Sequence, residues 1–126
     1  MVAGGMPWRR ARDVGDRGED LALAHLEALG WVVVERNWRC RLGEIDLVLR
    51  DPDGLLVFCE VKTRRSDRCG LPVEAVGRDK ARRLRTLAWA WLQERGVRAP
   101  RFRIDLVGVL WLPGQEPRVD HLEAVA

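Results

Sequence analysis

Two acids and a lysine, Asp46, Glu60 and Lys62, stand in two adjacent apolar runs, Glu44-Ile-Asp-Leu-Val-Leu-Arg50 and Leu55-Leu-Val-Phe-Cys-Glu-Val-Lys-Thr-Arg64. Side chains of a strand alternate faces with period two. Glu44, Asp46 and Val48 are therefore predicted on one face of the first run, with Ile45, Leu47 and Leu49 opposite. Phe58, Glu60 and Lys62 share one face of the second, with Val57, Cys59 and Val61 opposite. Burying an unpaired charge is costly, so charges emerging from apolar strands need partners. Two carboxylates and an ammonium meeting at one spot suit a divalent cation that activates water.

The turn Asp51-Pro-Asp-Gly54 joins the two runs into a hairpin. With Arg50 across from Leu56, Asp46 falls across from Glu60. Such neighbours have Cβ atoms about 5 Å apart, which one hard cation can bridge. A slip of one residue would put the acids on opposite faces. The competing reading is a surface hairpin carrying a cross-strand ion pair. An acid two residues before a lysine is common; a second acid on a paired strand makes the pattern informative.

The elements that must hold this hairpin can be read outward from it. Asp13 is a candidate cap for a helix running to about Leu29, stopped by Gly30. Glu19 shares its apolar stripe with Ala22, Leu23 and Leu26, and an acid there also needs a partner. Gly15 and Gly18 would let this helix approach a sheet closely. Trp31 to Arg39 reads as a strand, and Arg65 to Pro72 as a polar loop. Glu74 to Arg95 reads as a helix with a core stripe of Leu84, Leu87, Ala88, Trp91 and Leu92, stopped by Gly96. Arg101 to Trp111 is a further strand and Arg118 to Val125 a short last one. A helix between the third and fourth strands implies a crossover to a parallel neighbour.

Composition sets bounds. The 126 residues are 47% hydrophobic and 33% charged, which fits one globular domain. We expect a basic, flexible segment over residues 1–12 and a single domain over 13–126. No apolar run reaches membrane-span length, and the start lacks the apolar centre of a signal peptide, so the expected location is cytoplasmic. Cys40, Cys59 and Cys69 are odd in number and lack the paired spacing of zinc sites or disulfide frameworks. Only Lys62 and Lys80 among 22 basic residues are lysine. Arginine suits phosphate through its planar fork. Arg39, Arg41, Arg64, Arg65, Arg78, Lys80 and Arg82 flank the acidic centre and are the candidate nucleic-acid contacts. Each cluster alone is read as a solvated face; together they favour a phosphodiester partner. Most tryptophans are expected to pack, with Trp8 the best candidate for stacking on a base. His121 shows no acidic partner in sequence, which argues against a catalytic role.

The order αβββαβ with Asp46, Glu60-Val61-Lys62 and Glu19 resembles the PD-(D/E)XK nuclease superfamily. Gly15-Asp-Arg-Gly-Glu-Asp20, Asn37, Gly43-Glu-Ile-Asp-Leu47, Phe58-Cys-Glu-Val-Lys62, Lys80, Arg101-Phe102, Asp105 and His121 more closely resemble the bacterial YraN family. The resemblance covers about Asp13 to Ala124. It implies an α/β fold with a restriction-endonuclease-like αβββαβ core, a mixed central sheet flanked by helices. It also implies kinship with archaeal Holliday-junction resolvases and an endonuclease acting on DNA, structured or branched DNA included. Carried over, Asp46, Glu60 and the carbonyl of Val61 would hold Mg2+ or Mn2+, and Glu19 a second ion or its water. Lys62 would orient the attacking water, and Glu44 stands as an outer acid. No proline precedes Asp46, and Cys59 stands where the pattern favours valine; neither removes a ligand. The alternative is a nucleic-acid-binding protein with this fold and little or no turnover, or an interaction module. A homodimer stays open.

Overall fold

The computed structural model describes the backbone of residues 7–65 and 78–125, and the side chains of 17–65 and 80–125. The elements are α1 (Pro7–Ala28), β1 (Val32–Cys40), β2 (Gly43–Arg50), β3 (Leu56–Arg64), α2 (Arg78–Arg95), β4 (Phe102–Leu110) and β5 (Arg118–Leu122). The helix α1 begins at Pro7, earlier than the expected cap at Asp13. Proline is preorganised for the first helical position, where its missing N–H costs nothing. Gly30 at φ 93 and Gly96 at φ 64 stop the two helices as expected. Glu74, and with it the expected start of α2, lies outside the described residues, as do Cys69 and the Trp8 side chain.

The five strands form one mixed sheet in the order β1-β2-β3-β4-β5. Sequential neighbours run antiparallel except β3 and β4, which are parallel. The helix α2 makes that crossover, so the architecture is the α/β, αβββαβ arrangement with a helix on each face. On the α2 face, Phe58, Val48 and Ile104 pack against Leu84, Leu87, Ala88 and Trp91. On the α1 face, Leu47, Val57, Cys59 and Val107 pack against Ala22 and Leu26. Gly18 lets α1 come close: a Cβ there would sit 1.7 Å from Thr63 Oγ1 on β3.

The β2–β3 register carries the pairs Arg50↔Leu56 and Leu47↔Cys59, the expected alignment. One expectation fails. Ile45 does not share a face with Leu47 and Leu49; it packs on the α2 side with Trp38 and Val48. The cause lies on β1. Asn37 adopts φ 53, and the flanking pairs are Arg36↔Leu47 and Trp38↔Ile45. A left-handed residue breaks the alternation of its strand. Arg36 reaches α1, whereas Trp38, two residues on, bonds to Glu94 of α2. Asp46, opposite Asn37, sits where both strands change face.

Candidate functional site

Asp46 lies one step beyond the last paired residues of β2 and β3. Its Oδ2 accepts a hydrogen bond from the backbone N–H of Val61 at 2.8 Å. A side chain thus continues the strand junction where the backbone ladder ends, and it fixes the carboxylate against β3. Glu60, the preceding residue, lines the same pocket as Asp46 and Glu44, a cavity of about 250 Å³ closed by Lys80 and Arg83 of α2. Lys80 Nζ is 3.0 Å from Glu60 Oε2. That buried oxygen takes no hydrogen bond. The contact is therefore an ion pair without hydrogen-bond alignment.

Burial pushes the Asp46 carboxyl up to about 7. The Val61 N–H opposes that shift, while the charges of Glu19, Glu60 and Glu44 add to it. The field of Glu19 at Asp46 places this acid beside the site from α1. Its Oε1 stands 3.6 Å from Arg36, which also holds Asp20 at 2.8 Å. A carboxylate pushed up by burial and by acidic neighbours, as Asp46 is, is a natural host for a hard cation, which relieves that repulsion.

Of the residues singled out in sequence, the fold brings Asp46, Glu60 and Val61 together, with Glu19 near. Lys62 lies on the Glu60 face of β3, paired in register with Gly108, but it is not among the residues lining the pocket. Lys80 occupies the position beside Glu60 instead. Arg83 also lines the pocket, and sequence reasoning did not select it. The available signal was its i+3 spacing from Lys80 on one helix.

The expected phosphate contacts divide. Arg39 is held by Glu44 at 2.9 Å, and Arg41 is exposed in the neighbouring turn. Arg65 is exposed, with its guanidinium over the Trp111 ring, and Arg64 is half-buried. Arg82 is exposed on α2. The Arg78 side chain lies outside the described residues.

A second polar cluster lies across the sheet, on the α1 face. Asp105, fully buried on β4, accepts from Arg103 Nε at 2.8 Å and Nη2 at 3.0 Å. It also meets His121 Nε2 at 2.7 Å and accepts from the Ala124 N–H at 3.0 Å. His121 therefore has the acidic partner that its sequence neighbourhood did not reveal. Burial would raise the Asp105 carboxyl, but these hydrogen bonds outweigh it and hold it below the ordinary value. Cys59, Asp105 and His121 place ligand atoms within 4.8 Å of one another. A cation there would meet the Arg103 guanidinium on the same carboxylate, and burial pushes the Cys59 thiol well up, away from the thiolate a metal needs. The cluster is better explained as a tie joining β4, β5 and the segment that follows.

Among the described residues no helix is long and apolar enough to cross a membrane. The model of the Uncharacterised protein family UPF0102 matches residues 18–109. A UPF0102 protein of Pseudarthrobacter chlorophenolicus is 52% identical over 118 residues, covering 93% of this chain and 89% of its own. Another, from a Nocardioides strain, is 54% identical over 112 residues, covering 89% and 90%. A third, from Streptomyces griseus, is 54% identical over 114 residues, covering 90% and 95%. These descriptions name a family and no activity. The matched segment holds α1 from Gly18, all of β1 to β3 and the acid pocket, and on that basis the chain belongs to the uncharacterised protein family UPF0102, the YraN family of the motif resemblance.

Proposed function

We propose that this protein hydrolyses phosphodiester bonds in DNA with the help of Mg2+ or Mn2+. The observation that carries the reading is the pairing of Asp46 and Glu60 in one pocket, with Asp46 raised to about 7 and the Glu60 Oε2 buried without a hydrogen bond. The donor set is all oxygen, which suits a hard divalent ion. Asp46, Glu60 and the Val61 carbonyl would hold it, with Glu19 toward a second ion or its water. A divalent ion bound there supplies an acidic water and stabilises charge on the departing oxygen.

The protein's own groups do the rest. The Val61 N–H holds the Asp46 carboxylate in one orientation, so little reorganisation is needed on binding. Lys62, on the Glu60 face, would orient the attacking water and offset charge on the phosphate. Arg41, Arg64, Arg65 and Arg82 would hold the DNA backbone, whose grip weakens with salt as counterions are released. The test is incubation of single-stranded, duplex, flap and four-way-junction DNA with Mg2+ or Mn2+, beside an Asp46→Ala control. Cutting of any of these that Asp46→Ala abolishes supports the reading; uncut DNA throughout overturns the catalytic part.

A second reading is a DNA-binding protein with little turnover. The ion pair of Lys80 with Glu60, and the place of Lys62 outside the pocket lining, favour it. Salt-sensitive DNA binding without cleavage in the same experiment would select it.

A further inference from the structure

The aromatic residues of α2 divide sharply. Trp91 is buried against Phe58, but Trp89, two residues earlier, is 52% exposed. Its ring meets Phe102 of β4 edge-on at 5.0 Å, which fixes the indole plane. Two open grooves share Trp89 and Pro100. One, of about 660 Å³, continues past Gln93 and Val97 to Arg98. The other, of about 420 Å³, runs past Phe102 to Arg85 and Arg101.

We propose that the Trp89 groove is a stacking subsite for an unpaired base of single-stranded nucleic acid, with Arg85, Arg98 and Arg101 on its phosphates. Among the described residues, no carboxylate lines either groove. Arg85, Arg98 and Arg101 are exposed and form no ion pair with a described residue. Arg103, which also lines the second groove, is already held by Asp105. Arg85 also lies over the Phe102 ring at 5.3 Å, so its planar group is held close to the Trp89–Phe102 pair. A fixed aromatic plate among unneutralised arginines matches a nucleotide, which presents a π-face and an anion together. A second copy of this chain fits less well, because a twofold contact would set these arginines against themselves.

The subsite is distinct from the acid pocket. Nine residues of helix, about 13 Å of rise and half a turn of angle, separate Lys80 from Trp89. Arg82, Arg85 and Trp89 follow at i, i+3 and i+7 on the exposed side of α2, so a strand crossing the helix from the acid pocket would meet Arg82 and then Trp89. The inference rests on the nucleic-acid part of the proposed function and not on catalysis.

The test is binding of fluorescein-labelled dT and rU oligomers of about 20 nucleotides to the full chain in EDTA, where no cutting competes. Trp89→Ala should weaken both by roughly fivefold or more, and Trp89→Phe by less than about twofold, since stacking needs a ring and not the indole itself. Loss for dT alone or rU alone assigns the subsite to DNA or RNA. Affinity for a blunt duplex, which offers no unpaired base, should change by less than about twofold. Because Trp89 is half-exposed, the variant should melt with the wild type. Unchanged oligomer affinity in Trp89→Ala overturns the proposal. So does a wild-type dimer that Trp89→Ala dissociates without loss of oligomer affinity. If the chain cuts nothing but binds oligomers through Trp89, only the catalytic reading falls.

Discussion

Asn37, in the left-handed region at φ 53, stands across the β1–β2 ladder from Asp46, at the point where both strands change face. The strands stay paired on either side, and Asp46 Oδ2 turns to the Val61 N–H instead of following the regular alternation. Asparagine tolerates this conformation far better than a β-branched residue. Asn37→Val should therefore destabilise the fold by about 1–3 kcal/mol. It should also lower Mn2+ affinity by misplacing Asp46. Asn37→Gly should keep both. Chemical denaturation and calorimetric Mn2+ titration of the two variants read the difference; a Val variant as stable as wild type would show that Asn37 is incidental.

The Asp46 carboxyl gives a pH dependence of definite sign. Its folded value of about 7 lies above an unfolded value near 3.9, so between these the folded state holds a proton that the unfolded state has lost. Metal-free stability should fall as pH rises from about 4 to about 7, by a few kcal/mol at most, and then level off with respect to this group. Asp46→Asn keeps an acceptor for Val61 and removes the charge. At pH 8 it should melt above wild type in EDTA while failing to bind Mn2+. Thermal melts across pH check this, and a variant that melts below wild type at pH 8 would contradict it.

Much of this geometry was legible in the strand pattern. The shared faces of Val48 and Phe58 and the parallel crossover through α2 followed from period-two patterning and element order. The alignment of Arg50 with Leu56, the condition for Asp46 to meet Glu60, is the one the hairpin adopts. The exception at Ile45 came from one residue, Asn37, whose dihedral leaves no mark on hydrophobic periodicity. Lys80 was legible as a basic residue on a helix. Its contact with Glu60 was not, because how α2 lies on the sheet depends on packing by Leu84, Leu87 and Trp91 rather than on local pattern. His121 and Asp105 are far enough apart in sequence that only the β4–β5 pairing brings them together.

That β4–β5 tie should matter for stability and not for the acid pocket. Asp105→Ala would leave His121 and the Ala124 N–H without their acceptor and Arg103 with its longer contacts to Asp51 and Glu123, 3.6 and 3.5 Å, costing about 1–3 kcal/mol. Because the Asp105 carboxyl is held below its ordinary value, its contribution is complete above that value and is lost as pH falls below about 4. Urea melts at neutral and acid pH measure this. Equal stability of wild type and variant at neutral pH would remove the tie from the account.

Gly18 provides a packing test on the α1 side. A Cβ would meet Thr63 Oγ1 at 1.7 Å and Thr63 Cβ at 2.8 Å, too close for a rotamer change alone to relieve. Gly18→Ala should cost about 1–3 kcal/mol by pushing α1 off β3. Since Glu19 is the next residue, the same shift should alter its approach to Asp46. Gly18→Ala combined with Thr63→Ala removes the 1.7 Å contact but keeps the Thr63 Cβ at 2.8 Å, so it should recover part of the lost stability. A double variant no more stable than Gly18→Ala alone would mean that the Thr63 hydroxyl clash is not the cause.

The two lysines make the sharpest comparison. Lys80 lies 3.0 Å from Glu60, where a bound cation would also seek that oxygen. Lys80→Ala should therefore tighten Mn2+ binding or leave it unchanged, while weakening DNA through the lost positive charge. Lys62 lies on the Glu60 face of β3 without a described ion pair. Its proposed role is on the attacking water. Lys62→Arg keeps the charge but replaces a compact ammonium with a bulky planar fork. We expect it to fold, bind Mn2+ and bind DNA as wild type does, yet cut at least tenfold more slowly, about 1.4 kcal/mol of barrier. Lys62→Ala should match it. If Lys62→Arg cuts at the wild-type rate while Lys80→Ala cuts tenfold or more slowly, the water-positioning ammonium is Lys80, carried on α2 beside Glu60.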